Sequence, residues 1–444
     1  MTNKESTSAA NVPGMQRVRQ AARRIMARCD ELARCTDCAG EITRLFCSPA
    51  MESAHDLLRG WMQEAGLGCR MDAAGNFRGR HEPPSAGGEA ARPLGVLLIG
   101  SHLDSVVNAG RYDGPLGVLL GLAVAELAAE AQARLPFALE VVGFCEEEGV
   151  RYQAPFFGSR ALAGEGAGEL LERVDAHGVT LADALRRFGG DPDRLADCAC
   201  GDEEIVAYLE PHIEQGPVLE QHGVPLGIVT GAVGQTRASL QFVGRAGHAG
   251  TVPMCARRDA LAGAAQFVLE LEALARATDG LVATVGHLEM APNVANVIPA
   301  AARLRIDLRH ADDATRQSAT SQAMLRAATI ARERGLDFEV LWLEETGRVD
   351  FDGTCVDLLE RSVVEAGWQP HKLASGAGHD AMVMAKRYPS AMLFLRCAGG
   401  TSHHPDECVS ESDVCAALDV LWRFVEHLAR RRVARGVPPV GSSS

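Results

Sequence analysis

Short apolar runs and longer helical segments alternate in the first half of the chain. Residues 94–100 and 137–144 are apolar runs of strand length, and residues 116–131 between them have the length and composition of a helix. A strand, helix, strand order is typical of an open α/β sheet, where ligands collect beyond the carboxyl ends of the strands. Charged and imidazole side chains follow both runs directly, so the pattern predicts a site at this edge.

The hydrophobic pattern changes between residues 233 and 345. It predicts, in chain order, a strand over 237–244, a helix over 256–277, strands over 281–290 and 302–309, a helix over 313–334 and a strand over 336–343. This order is βαββαβ, a ferredoxin-like split unit that can fold alone. We therefore expect an inserted domain there.

The α/β pattern then resumes up to a closing helix over 412–431. Since 444 residues exceed the usual size of one hydrophobic core, two domains are expected. The predicted fold is α/β with a mixed-sheet catalytic domain. The expected segments are a disordered start over 1–16, a discontinuous catalytic domain over 17–232 and 346–435, the inserted domain over 233–345 and a flexible tail over 436–444.

Composition narrows the classes of partner. The net charge of −14 would repel a nucleic-acid backbone, and no basic run offsets it. The start of the chain lacks a signal-peptide pattern, and the longest apolar run is too short to span a bilayer, so a cytoplasmic location without a membrane partner is expected. The 13 cysteines are scattered, and we interpret Cys35 and Cys38 as ordinary thiols.

His102 and Asp104 follow the first predicted strand, and both lie on one side of an extended segment. One interpretation is a metal-binding imidazole whose other nitrogen is held by the aspartate. The alternative is a capping aspartate beside a surface histidine.

Carboxylates add to this site. Asp113 precedes a long helix, so a turn or cap role competes with the bridging of two cations. Three successive carboxylates follow the second strand, and their repulsion requires neutralisation, which cations would supply. We assign Glu147 to the metal and Glu146 to the general base, with Glu148 as the outward member.

Two more imidazoles, His212 and His403, would complete two metal sets, with His404 competing directly with His403. A mixed nitrogen and oxygen ligand set of this kind suits two divalent cations sharing one carboxylate. Such a pair ionises water and polarises a carbonyl, so the chain is interpreted as a metal-dependent hydrolase.

Six ordered motifs carry a family resemblance. They are GSHLDS (100–105), EEEGVRYQ (146–153), HIEQGPVLE (212–220), GHAGTVPM (247–254), SGAGHDAM (375–382) and TSHHPDE (401–407). They resemble the amidase branch of the M20 metallopeptidase superfamily, which contains allantoate amidohydrolases, N-carbamoyl-L-amino-acid hydrolases, ureidoglycolate amidohydrolases and β-alanine synthase.

The resemblance implies a ligand set for each cation. One cation, zinc or manganese, would be held by His102, Asp113 and His212, and a second by Asp113, Glu147 and His403. Asp113 would bridge the two cations, and the resemblance selects His403 over His404. It also places Glu146 as the base and makes the inserted domain a lid that forms the homodimer contact.

The resemblance further implies substrate contacts at Gln215, His248, Asn296 and Arg309, with His248 also donating to the developing oxyanion. A turn role for His248 and an ion pair between Arg309 and Asp307 are the alternatives. The stretches 107–114 and 148–153 look more like allantoate enzymes than carbamoylases, so allantoate is the expected substrate, followed by an N-carbamoyl-L-amino acid and then ureidoglycolate.

Overall fold

The computed structural model describes residues 14–83, 95–199 and 204–434. Residues 1–13 of the predicted disordered start and the predicted tail at 436–444 lie outside this range. Met15 and Gln16 belong to the first helix, so the prediction of disorder is wrong for them. The described helices are α1 (Met15–Leu32), α2 (Pro49–Glu64), α3 (Pro115–Glu130), α4 (Phe157–Ala163), α5 (Leu181–Phe188), α6 (Val218–Gln221), α7 (Ala260–Ala277), α8 (Asp313–Arg334), α9 (Gly353–Glu365), α10 (Asp380–Met384) and α11 (Glu411–Ala434).

The described strands fall into two larger sheets and one two-stranded ribbon. They are β1 (Gly68–Met71), β2 (Phe77–His81), β3 (Val96–His102), β4 (Ala138–Phe144), β5 (Ile205–Ile213), β6 (Leu226–Ala232), β7 (Gly234–Val243), β8 (Gly247–His248), β9 (Val282–Ala291), β10 (Val297–Ile298), β11 (Ala301–His310), β12 (Asp337–Thr346), β13 (Val349–Asp350), β14 (Lys372–Ser375) and β15 (Ser390–Leu395).

The chain divides into two compact units, one of which is formed by 231–349 with 374–377, and the other by the remaining described residues. The larger unit contains a nine-stranded sheet in the order β1-β2-β4-β3-β5-β15-β6-β13, with β14 paired to β6. The four central strands β4, β3, β5 and β15 are mutually parallel, whereas β2 pairs antiparallel with β4 and β6 pairs antiparallel with β15. The predicted mixed α/β sheet is therefore confirmed.

Burial explains why these strands form the centre of the sheet. Every residue of β3, β4 and β5 is buried, which is typical of parallel strands covered on both faces. The polar residues Glu210 and His212 interrupt the apolar sequence of β5, and the hydrophobic pattern did not predict this strand. Pro115 occupies the first turn of α3, where its missing N–H costs nothing.

The smaller unit has the element order β7-α7-β9-β11-α8-β12, interrupted by the short strands β8 and β10 and by one turn of 3-10 helix (Met254–Ala256) before α7. Its sheet has the strand order β12-β7-β11-β9. An apolar cluster that includes Leu240, Phe242, Phe267 and Ile330 joins the sheet to its helices. Asp259 and Asp312 cap α7 and α8 by accepting bonds from backbone N–H groups in the first turn. The order agrees with the βαββαβ pattern read from the sequence.

The helices and cysteines of the described residues bear on the expectations about membranes and thiols. None of their helices combines the length and apolar character needed to cross a bilayer. Their cysteines are free thiols, with Cys35 buried and Cys38 exposed.

Candidate metal centre

The four central parallel strands bring the predicted ligands together. Glu146 to Glu148 follow β4, His102 ends β3, His212 lies near the end of β5, and His403 follows β15. Because the strand order is β4-β3-β5-β15, these carboxyl ends are neighbours along one edge of the sheet. The sequence prediction that ligands collect at this edge holds for strands far apart in the chain.

Asp113 lies at the centre of three imidazoles. Its Oδ1 is 3.2 Å from His212 Nε2 and 3.8 Å from His102 Nε2, and its Oδ2 is 3.1 Å from His403 Nε2. Burial alone would raise the pKa of Asp113, but hydrogen bonds with the three imidazoles outweigh it and hold this pKa well below its ordinary value. The side chain is therefore ionised and faces ligands on both of its oxygens.

Two of the imidazoles are oriented by backbone carbonyls. His102 Nδ1 donates to the Asp104 carbonyl at 3.0 Å, and His212 Nδ1 donates to the Ile213 carbonyl at 2.9 Å. Fixing the proton on Nδ1 leaves Nε2 as the coordinating atom, and the two Nε2 atoms lie 3.5 Å apart. Gly114 is required beside this pair, since a Cβ there would lie 2.5 Å from the His102 ring.

Three groups of side chains around Asp113 have ligand atoms within 4.8 Å of one another: His102 with Asp113 and His212, Asp113 with Glu148 and His403, and His102 with Glu147 and Glu148. This imidazole and carboxylate donor set suits divalent cations such as zinc or manganese.

The grouping differs from the expectation for the three glutamates. Glu147 was expected to join Asp113 and His403 as a metal ligand, and Glu148 was expected to face outward. In the structure, Glu148 instead forms the group with Asp113 and His403 and lies 3.5 Å from His403 Nε2. Glu147 lies beside His102 and Glu148, outside the sets that contain Asp113. The reason is the turn after β4, whose geometry a run of identical residues does not reveal.

Glu146, the expected base, belongs to none of the ligand groups found among the described residues. Its Oε1 accepts a 2.8 Å hydrogen bond from the Tyr152 backbone N–H, and burial raises its pKa to about 8. Its φ of +50° is in the left-handed region, which turns the chain so that the next two glutamates face the imidazoles.

The carboxylate of Asp104 has a role other than the one expected. It lies 3.9 Å from His102 Nδ1, too far for a hydrogen bond, while its two oxygens accept from the backbone N–H groups of Glu147 and Glu148 at 3.1 Å each. Asp104 therefore holds the glutamate turn in place, and only its backbone carbonyl orients His102.

Gln215 contacts Asp113. Its Nε2 donates to both oxygens of Asp113 at 3.1 Å and lies 3.3 Å from Ser402 Oγ. Both Gln215 and His403 have positive φ, +58° and +55°, so backbone strain accompanies these two side chains at the cluster. A substrate contact was expected for Gln215, whereas the structure shows its amide on the central carboxylate.

His379 and Glu210 also lie at the site, although neither is predicted from the sequence. The His379 ring packs edge-on against His212 with centroids 4.5 Å apart, and these two imidazoles and Glu210 form another buried group. Glu210 accepts from Ser101 Oγ at 3.1 Å and from the Ala381 backbone N–H at 2.7 Å. The alternation of β5 puts Glu210 and His212 on one face, and that spacing is the signal that could have revealed Glu210.

In the smaller unit, His248 and Asn296 lie together on the ribbon of β8 and β10. His248 pairs with Val297, and the Asn296 carbonyl accepts from the Ala249 N–H at 3.0 Å. His248 Nδ1 accepts a bond from the Gly250 N–H at 3.0 Å, as in a turn role, which puts the ring proton on Nε2. The exposed His248 ring can therefore act as a hydrogen-bond donor.

Arg309 lies on the face of the β11 strand opposite its helices. Its Nε and Nη2 bind Asp307 at 2.9 and 3.0 Å, as the ion-pair interpretation predicted, and its Nη1 donates to the Gly376 carbonyl at 2.6 Å. Arg309 also lines a cavity of about 730 Å³ together with Arg237, Arg305 and Trp342. A carboxylate-binding role would use this cavity.

Comparisons with known proteins identify the family of this chain. A match to the family described as Peptidase family M20/M25/M40 covers residues 98–427. The N-carbamoyl-L-amino acid amidohydrolase of Geobacillus stearothermophilus is 40% identical over 88% of this chain and 94% of its own length. The allantoate deiminase of Arabidopsis thaliana is 37% identical over 90% of this chain and 81% of its own.

Solved structures give the same result. A hydantoinase/carbamoylase family amidase from Burkholderia multivorans superposes with a TM-score of 0.82 at 33% identity, over 92% of this chain and 98% of its own. The match to the family and the relatives that span most of both chains show that this protein belongs to the M20/M25/M40 peptidase family.

Proposed function

We propose that this protein is a metal-dependent amidohydrolase that cleaves a C–N bond in a linear ureido or carbamoyl carboxylate. The observation that carries the proposal is the ionised Asp113 between three imidazoles, with Glu148 completing the second group. The names of the relatives support an amide-type rather than a peptide substrate.

The residues present fit two divalent cations. His102, Asp113 and His212 would hold one, and Asp113, Glu148 and His403 the other, so that Asp113 bridges them. When bound, such cations ionise a water and polarise the substrate carbonyl. Zinc and manganese both suit this ligand set.

Glu147 is the general base in this proposal. Its carboxylate lies beside His102 and Glu148, next to both ligand sets, while Asp113 stays outside its group. Asp104 holds its backbone N–H at 3.1 Å, which fixes the start of the side chain. A carboxylate in this position takes a proton from water and returns it to the leaving nitrogen.

Residues of the smaller unit bind the substrate in this proposal. His248 donates from Nε2 to the developing oxyanion, and Arg309 binds the substrate carboxylate with its planar guanidinium. Asn296, which lies beside His248 on the same ribbon, binds a substrate oxygen.

Allantoate is the first candidate substrate, because residues 107–114 and 148–153 resemble those of allantoate enzymes. N-carbamoyl-L-amino acids are the second, supported by relatives of that name at similar identity, and ureidoglycolate is the third. Hydrolysis of allantoate would release a carbamate that decomposes to ammonia and carbon dioxide.

A substrate panel tests the function. The purified protein with added manganese or zinc is assayed for ammonia on allantoate, ureidoglycolate, several N-carbamoyl-L-amino acids and a dipeptide. We expect chelator-sensitive ammonia release from one ureido or carbamoyl substrate and no cleavage of the dipeptide. Dipeptide cleavage without ammonia release would disprove the proposal.

The role of Arg309 gives a separate prediction. Arg309→Lys is expected to raise KM by about 10- to 100-fold, because hydrogen bonds to charged groups contribute about 1.5–3 kcal/mol and lysine cannot bind a carboxylate bidentately. Steady-state kinetics on the best substrate measures this change.

The control is Arg303→Lys, on the same strand and the same face, whose side chain binds only Gln241 among the contacts found, at 3.2 Å. Equal KM values for Arg309→Lys and wild type would remove Arg309 from the substrate site.

We also propose a homodimer through the smaller unit. β12 is an edge strand of its sheet, and the successive residues Val340, Leu341, Trp342 and Leu343 are each 42–45% exposed. Such an edge invites pairing with another chain. Light scattering after size-exclusion chromatography should give the mass of two chains. The mass of a single chain would contradict the proposal.

A further inference from the structure

Glu407 contacts the loop that carries Asp113, but it belongs to no ligand group found among the described residues. It follows His403 in the segment between β15 and α11, and only 3% of the residue is exposed. A buried glutamate needs hydrogen-bond partners to offset its lost hydration, so its contacts indicate its role.

Those contacts reach the loop that carries Asp113. Glu407 Oε1 accepts from the backbone N–H groups of Tyr112 and Asp113 at 2.8 and 3.0 Å. Its Oε2 lies 3.1 Å from Ser402 Oγ, which is itself 3.2 Å from Asp113 Oδ2. The Glu407 carboxylate therefore binds the backbone N–H of one proposed ligand, Asp113. It also binds the hydroxyl of Ser402, the residue directly before another proposed ligand, His403.

The opposite loop is shaped to admit this carboxylate. A Cβ at Gly110 would lie 2.3–2.4 Å from three atoms of the Glu407 side chain. Any larger residue at 110 would displace the glutamate. The two loops are 294 residues apart in sequence, so nothing local to either one fixes their spacing.

We propose that Glu407 is a positioning residue that holds Asp113 and His403 at the spacing required by the second cation. It does not contact that cation, but ties together the two loops that supply its ligands. This inference rests on the proposed two-cation function. His102 and His212 are held by other carbonyls, so the first cation depends less on Glu407.

The test measures cation binding directly. Four proteins are stripped of metal and titrated with zinc in competition with a chromogenic chelator. They are the wild type, Glu407→Ala, Glu407→Gln and Gly110→Ala. The titration gives the number of cations per chain and the affinity of each.

For Glu407→Ala we expect the affinity for the second cation, taken as the weaker of the two, to fall about 10- to 100-fold, the usual cost of losing a group that orients a ligand. The affinity for the first cation should change less. Glu407→Gln retains an oxygen for the two N–H groups and should fall between wild type and Ala. Gly110→Ala should lower the affinity for the same cation even though the Glu407 carboxylate is still present. Excess zinc should restore kcat with an unchanged KM, which a general loss of stability would not allow.

Asp72→Asn is the matched control. Asp72 is another buried carboxylate of the larger unit, and its Oδ1 accepts from the Ala74 and Asn76 N–H groups at 3.1 and 3.0 Å, so these hydrogen bonds involve no proposed ligand. It should bind both cations as wild type does.

The outcomes separate this inference from the proposed function. A wild type that binds no cation overturns both. A wild type that binds two, with Glu407→Gln and Gly110→Ala equal to it, overturns the positioning role alone. These two variants decide the matter even if Glu407→Ala fails to fold.

Discussion

Glu147→Gln is expected to lower kcat by about 10²–10⁴-fold, the usual contribution of a general base, while both cations stay bound. The amide keeps the size of the side chain but cannot accept the water proton. Because Glu147 lies outside the groups that contain Asp113, its replacement should leave the metal content unchanged. Steady-state ammonia release and elemental analysis of the same sample measure the two quantities.

Glu146→Gln is the matched control, one residue earlier in the chain. The amide oxygen can still accept the 2.8 Å bond from Tyr152 N–H, so we expect turnover within a few-fold of wild type. The opposite result, a large loss for Glu146→Gln and a small one for Glu147→Gln, would restore the assignment first made from the sequence.

Asp113→Asn is expected to reduce bound metal from two cations to one or none and to lower turnover by more than the ~10⁴-fold attributable to a general base alone. The neutral amide offers one oxygen instead of two and directs an N–H towards an imidazole. No other carboxylate belongs to both cation sets, so neither pair of ligands is completed. Metal analysis and the ammonia assay measure both effects.

His404→Ala controls for the loss of a polar group near the site. The His404 imidazole is exposed and accepts from the Asp406 N–H at 3.2 Å, without contact to Asp113. The His404→Ala variant should retain both cations and normal turnover. For Asp113→Asn itself, two cations bound with normal affinity would refute the bridging role.

Much of the scaffold was predictable from local patterns. The apolar strands β3 and β4, the helix α3 between them and the element order of the smaller unit all follow from hydrophobic periodicity, because each is a regular element with a buried face. β5 was missed since Glu210 and His212 interrupt its apolar pattern, although packing buries the whole strand.

The site was predictable in its residue types but not in every role. Imidazoles and carboxylates after strand ends predict a cation site, and the structure does bring His102, Asp113, His212 and His403 together. The placement of the three glutamates depends on the rotation of the chain at one left-handed residue, Glu146, after which Glu148 lies 3.5 Å from His403 Nε2. Three identical side chains carry no sequence signal for that rotation.

Local sequence patterns predict a mixed α/β unit with an inserted βαββαβ unit, and a cluster of imidazole and carboxylate side chains after the ends of its strands. Both follow from periodicity and residue type, which are local properties. Tertiary contacts alone place Glu148 with Asp113 and His403, bind Asp104 to a turn rather than to an imidazole, and bring Glu407 to Asp113, 294 residues earlier in the chain. Those contacts join loops that neighbour one another only after the parallel strands have paired, so no stretch of sequence contains them.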